Sequence, residues 1–129
     1  MPSKLKVKVE SRAGGSQVIF FPEGSIDANT YSQLGTEVDA ALKNSPNLII
    51  FNLERVSYVS SAGIGVVLAA EKAMKANGGK ALVVNMQPQI RKVFEIVQAL
   101  PKQQIFNSVK ELDEYLAEMQ RRVRDGESD

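Results

Sequence analysis

Leu5, Val7 and Val9 alternate with Lys4, Lys6 and Lys8 near the start of the chain. This is the period-two pattern of a strand with one buried and one wet face. Ala13-Gly14-Gly15-Ser16 reads as a turn, and Val18 to Phe21 as the second strand of a hairpin. Pro22 has no N–H to give to a ladder and so marks an edge or a bulge, with the strand resuming over Gly24 to Ile26. Asp27 to Thr30 predicts a helix start. Thr30 and Gln33 have capping-box spacing, and Tyr31, Leu34, Val38, Ala41 and Leu42 share one helical face. Asn44-Ser45-Pro46 stops that helix.

Leu48-Ile49-Ile50-Phe51 is a continuous apolar run, which fits a strand covered on both faces. A loop is expected over Asn52 to Ser60, then a helix over Ser61 to Ala76 closed by a left-handed stop at Asn77-Gly78-Gly79. Ala81-Leu82-Val83-Val84 predicts another fully apolar strand. Strand, helix and strand over this length make a right-handed βαβ unit with parallel strands. Pro88 suits the first turn of a further helix whose buried stripe is Ile90, Val93, Phe94 and Val97. Pro101 ends that region, and Gln104 to Phe106 fits a short last strand. Ser108 and Glu111 have capping-box spacing before a helix with Val109, Leu112, Leu116, Met119 and Val123 inward. Arg121, Arg122 and Arg124 fall at its C-terminal end, where cations suit the helix dipole. The fold expected is α/β: one domain over residues 1–124, a mixed sheet of four to five strands with about four helices, and a disordered polar tail over 125–129.

Composition narrows the chemistry. The 129 residues carry 16 Lys plus Arg against 15 Asp plus Glu, a net charge of +1 that supplies no electrostatic drive toward nucleic acid or anionic membrane. Cys and His are both absent, which removes disulfides, thiol nucleophiles, thiolate zinc sites and imidazole bases together. No acidic calcium loop and no cofactor fingerprint is visible, so neither a metal nor a cofactor is expected. Met1 to Glu10 lacks the apolar core of a signal peptide. The longest strongly apolar stretch, Ala62 to Ala70, is about half of what a bilayer crossing needs. The expectation is a soluble, cytoplasmic protein.

The informative segment is Tyr58-Val59-Ser60-Ser61-Ala62-Gly63-Ile64-Gly65-Val66, between a buried strand and a helix. In open α/β sheets, ligand and partner sites gather at the C-terminal ends of parallel strands. Two hydroxyls followed by small residues are expected to be accessible there. A helix N-terminus tolerates added negative charge, so phosphate on Ser61 would leave the fold intact. Ser is equally a good N-cap, and a capping role is compatible with a phosphoacceptor role. A nucleophilic Ser61 has little support: the segment is not Gly-x-Ser-x-Gly, and the chain lacks the usual base. Gly63-x-Gly65 lacks the third glycine of a nucleotide fingerprint.

The run from Asn52 to Gly65 resembles the signature of STAS domains, found in bacterial anti-sigma factor antagonists. Gly24-Ser25-Ile26-Asp27 resembles the family's earlier Gly-x-x-Asp. Gly78-Gly79-Lys80 before an apolar strand, then Pro88 and Val93-Phe94, match in type and order, so that the resemblance covers roughly Leu5 to Leu116. It implies partner switching rather than catalysis. An unphosphorylated antagonist binds an anti-sigma factor that is also a serine kinase. Phosphorylation by that kinase ends binding, and a serine/threonine phosphatase of the metal-dependent class restores it. The resemblance places the phosphoacceptor at Ser61, with Ser60 as the alternative, and a partner-binding patch at Asp27, Ser60, Ser61, Ala62, Gly63 and Ile64. The family commonly has Asp immediately before the phosphoacceptor, and this chain has Ser60.

Two other readings predict different things. A STAS-type scaffold that binds without phosphorylation predicts that Ser61→Asp hardly changes partner affinity. A small catalytic or ligand-binding domain predicts a deep concave site beside Asp27 and Ser61, where the STAS reading predicts a shallow convex patch. Lys72, Lys75, Lys80, Arg91 and Lys92 read as solvated surface, Met74 and Met119 as core, and Tyr58 as a loop anchor.

Overall fold

The computed structural model describes residues 5–99 and 109–126. The expected strand at Gln104 to Phe106, the Ser108 cap and the last residues of the polar tail lie outside the described residues. The hairpin is present. Strand β1 (Lys6–Arg12) pairs antiparallel with β2 (Gln17–Ile26) across a tight 3-10 turn at Ala13–Gly15. Helix α1 (Tyr31–Leu42) follows, then β3 (Leu48–Asn52) and β4 (Val56–Val59). Helix α2 (Ser61–Ala76), β5 (Lys80–Val84), α3 (Pro88–Ala99) and α4 (Val109–Arg124) complete the chain. The sheet runs β1-β2-β3-β5, with β4 also on β2, and it is mixed, because every pair except β1–β2 is parallel.

Strand β2 serves two neighbours in turn. It pairs with β3 over Gln17 to Phe20 and with β4 over Gly24 to Ile26. Pro22 falls in the gap between those ladders and is buried, which resolves the edge-or-bulge expectation. An irregularity does follow, between Gly24 and Ser25, and Gly24 there has φ 119°, a conformation open to glycine.

Strand β4 is a correction, since a loop was expected over Asn52 to Ser60. Val56 and Val59 are buried and Ser57 is exposed, but four residues are too few to stand out as a pattern. Tyr31 is a second correction. It is 41% exposed, and the inward face of α1 is carried by fully buried Leu34 and Val38. Strand β5 is less covered than expected, because Leu82 is 41% exposed at the margin of the sheet. The capping box at Thr30 and Gln33 does not form. The Thr30 hydroxyl donates to the Ser25 carbonyl at 2.7 Å and accepts from the Asp27 N–H at 2.9 Å, while Gln33 Oε1 accepts from the Leu5 N–H at 3.1 Å.

The core sits between the sheet and the helices. Phe20 and Phe51 stack across β2 and β3, with ring centroids 5.5 Å apart, both with no exposed surface. Around them Ile26, Leu34, Ile49, Leu53, Ile64 and Met74 are closed off from water. From α3 and α4 come Ile90, Val93 and Leu116, all fully buried, as the periodicity predicted. Helix α2 begins at Ser61 and ends at Ala76 as expected, and Gly78 supplies the left-handed stop at φ 78°.

The two glycines of Gly63-Ile64-Gly65 do different work. A Cβ at Gly63 would stand 2.7 Å from the Ile26 carbonyl and 2.7 Å from Val59 Cγ2, whereas one at Gly65 would meet nothing within 4 Å. Gly63→Ala is therefore expected to destabilise by about 1–3 kcal/mol through overpacking. Gly65→Ala is expected to stabilise by roughly 0.5–1 kcal/mol through helix propensity. Urea unfolding checks both: the midpoints should move in opposite directions at unchanged slope.

Candidate functional site

The parallel ladder between β2 and β4 sets Ile26 beside Val59, so both strands end at one place. The Ser60 N–H then donates to the Ile26 carbonyl at 2.9 Å, and the chain turns directly into α2. Because residue 63 has no side chain, the first turn of α2 can lie against that carbonyl.

The paired serines separate in role. Ser60 is the N-cap, only 4% exposed; its hydroxyl accepts from the Gly63 N–H at 3.5 Å and its carbonyl accepts from the Ile64 N–H at 3.0 Å. The expectation that both hydroxyls are accessible is corrected here for Ser60. Ser61 is half-buried and opens the helix, which does not depend on its hydroxyl for capping.

Asp27 is half-buried one residue past Ile26. Its Oδ1 accepts from the Asn29 N–H at 2.9 Å and its carbonyl accepts from the Tyr31 N–H at 2.9 Å, so it also shapes the entry to α1. Ala62 is half-buried, while Gly63 and Ile64 are buried and support the turn from beneath. An apolar groove of about 500 Å³ begins at Ala62 and runs between α1 and α2, lined among others by Tyr31, Val38, Gly65 and Ala69. It is open to solvent, and neither Asp27 nor Ser61 lines it.

Three residues at this turn escaped the sequence reading. The Ser61 N–H donates to Asp113 Oδ1 of α4 at 2.8 Å. A carboxylate from a distant helix thus satisfies a donor that the N-terminus of α2 leaves open. Gln120, two turns further along α4 and only 2% exposed, grips Val59 twice. Its Oε1 accepts from the Val59 N–H at 2.9 Å and its Nε2 donates to the Val59 carbonyl at 2.7 Å. From α3, buried Gln89 donates to the Ser57 carbonyl at 3.2 Å. Side-chain amides therefore occupy the edge of β4 that β2 does not. The signal for Gln120 was present: it is a polar residue among Leu116, Met119 and Val123 on an inward stripe. Asp113 carried no comparable mark.

Tyr58 reports on these charges. Burial first, then the charges of Asp113 and Asp27, raise its phenol above the ordinary value of 10.0. Ser61 therefore stands in an acidic neighbourhood, although the residue before it, Ser60, is neutral. Among the described residues, no cluster of three His, Cys, Asp or Glu could hold a metal, and no helix is long and apolar enough to cross a membrane.

A strand-to-helix turn of this geometry, Ser-Ser-Ala-Gly in sequence, coincides with a match of the STAS domain family model to residues 5–112. The chain belongs to the STAS domain family. This STAS chain is 33% identical over 73 residues to the anti-sigma F factor antagonist of Lysinibacillus sphaericus, covering 56% of this chain and 62% of that one. It is 31% identical over 74 residues to a protein named as the putative anti-sigma factor antagonist BtrV of Bordetella bronchiseptica, covering 57% and 64%. The match thus spans less than two thirds of each relative's length. Among solved structures, the anti-sigma factor antagonist SpoIIAA in its unphosphorylated form has a TM-score of 0.61 at 27% identity, covering 70% of this chain and 83% of that one. The Bacillus cell fate determinant SpoIIAA in its phosphorylated form has the same TM-score and identity over 71% and 83%.

In a Tyr31→Phe, Tyr115→Phe background Tyr58 is the single tyrosine, and ultraviolet difference spectroscopy should find it ionising above pH 10.0. Adding Asp113→Asn should move the titration part of the way back, leaving the larger effect of burial. The sign for stability follows. Between the ordinary value and the raised one, the unfolded phenol loses its proton first, so stability falls as pH rises through that window. Tyr58→Phe should remove that component of the alkaline loss, measured by denaturation at stepped pH.

Proposed function

We propose that this chain is a cytoplasmic anti-sigma factor antagonist that works by partner switching and is not itself an enzyme. Unphosphorylated, it binds an anti-sigma factor that is also a serine kinase. Phosphorylation of Ser61 ends that binding, and a metal-dependent serine/threonine phosphatase restores it. Membership of the STAS family and likeness to proteins named anti-sigma factor antagonists support the role. The observation that carries the site assignment is the division between the serines: buried Ser60 caps α2, while half-buried Ser61 stands at the surface of the turn. Asp27, Ser61 and Ala62 are the accessible part of the patch, and Ser60, Gly63 and Ile64 hold it in shape.

A dianion set against an acidic or apolar partner surface meets repulsion and desolvation. A cost of about 1.4 kcal/mol already weakens binding tenfold. One observation favours the scaffold reading as a second possibility: the N–H of Ser61, one of the donors that would greet a phosphate, is already held by Asp113.

The test uses an anti-sigma factor with serine kinase activity from the same genome, one encoded beside the gene if there is one. Incubation with that kinase and ATP should place phosphate on Ser61, mapped by mass spectrometry. Ser61→Asp should weaken calorimetric binding to the kinase by about tenfold or more. Ser60→Ala should lower stability by about 0.5–2 kcal/mol through loss of the cap, yet leave labelling at Ser61 intact. A chain unlabelled at both serines, with Ser61→Asp binding as tightly as the native chain, is the scaffold instead.

A further inference from the structure

We propose that α4 is a phosphorylation-sensitive latch, closed on the functional turn by Asp113 and opened when phosphate on Ser61 displaces that carboxylate. The proposal rests on the reading of Ser61 as phosphoacceptor and adds a second consequence to it. Asp113 is the first residue beyond the stretch that the family model matches, so the contact belongs to a part of the chain that the match does not describe.

Asp113 Oδ1 lies 2.8 Å from the Ser61 nitrogen. Three bonds separate that nitrogen from Ser61 Oγ, so the hydroxyl is never more than about 4 Å from it. Phosphoryl transfer forms the Oγ–P bond, breaks the bond between the γ-phosphorus and the ADP oxygen, and releases the hydroxyl proton. The product carries up to two negative charges within reach of the same N–H and beside the Asp113 carboxylate. Asp27 adds a further negative charge at this turn, as its effect on Tyr58 records. Phosphate also competes for the helix N-terminal donor that Asp113 now uses. Both effects drive Asp113 away.

Its departure reaches β4 through Gln120. Asp113 and Gln120 are seven positions apart on one α-helix, hence on one face, and each holds the turn from α4. Gln120 closes both polar groups of Val59, and a shift of α4 large enough to clear a phosphate strains that pair of bonds. The packing of α4 on α3 through its apolar stripe is not opposed, so the helix remains folded while its grip on the turn loosens.

The full chain carrying phosphoserine at position 61, installed during translation so that no kinase is needed, provides the test. Amide hydrogen exchange at Val59 should be at least about tenfold faster in the phosphorylated chain than in the unmodified one, with Ile49 and Phe51 of β3 unchanged. Asp113→Asn keeps an acceptor but removes the charge, and it should abolish most of that acceleration. On the chain with native Asp113, tryptic cleavage after Arg121 and Arg122 gives an independent reading and should be faster with phosphate present. Equal exchange at Val59 with equal cleavage overturns the latch, as does an acceleration undiminished by Asp113→Asn. Such a failure leaves the Ser61 switch standing, and a failure of kinase labelling leaves this measurement interpretable.

Discussion

The Ile26 carbonyl occupies space that a side chain at residue 63 would need, and the strand-to-helix turn is arranged around that close approach. Two strands finish together at Ile26 and Val59, and the next N–H in the chain, that of Ser60, bonds back to the same carbonyl. The helix then begins without a connecting loop, and its first residue is left at the surface. Asp27 arrives at the same corner simply because it follows Ile26. Burial of Val59 and Ile64 fixes the corner from below. Rigid packing of this kind positions a hydroxyl more firmly than a free loop could.

Charge around that hydroxyl comes from distant segments rather than from its neighbours in sequence. The residue before Ser61 is a neutral, buried cap, and the carboxylates arrive from the entry of α1 and from α4. A buried Asp at position 60 would have added another negative charge beside Asp113, with little water to screen it. Ser60 therefore suits this chain for an electrostatic reason as well as a conformational one. The pH response of Tyr58 and the docking of α4 are two readings of the same acidic corner.

What could be read from sequence was local. The limits of α2, the hairpin, the parallel pairing of β3 with β5 and the inward stripes of α3 and α4 follow from periodicity and from punctuation by Gly and Pro. Strand β4 was missed because it has only four residues and meets only the far end of β2. Tyr31 was placed inward because its spacing allowed it, but α1 rests on a narrower stripe. Thr30 had the spacing of a cap, yet the turn at Asp27 took its hydroxyl for closer backbone partners. The Asp113 and Gln120 contacts link positions 52 and 61 residues apart, and no local pattern signals such a pairing. The place of Ser61 at the start of α2 was legible, because a Ser-Ser pair after a buried strand is a helix-start signal.

Pro22 sits where β2 has left β3 and has not yet met β4. Two residues later the Gly24 N–H points to the Arg55 carbonyl, so the Pro22 nitrogen faces the same margin and has no hydrogen to offer. Neither neighbouring ladder can creep across that position by taking one more rung. The hairpin with β1 holds the register of this ten-residue strand on one side, and the proline keeps its two successive parallel partners apart on the other, where a single-residue slip would turn core side chains toward water. The ring thus acts as a ratchet tooth in the sheet, and the alignment of the Ser61 corner is protected by a residue remote from it.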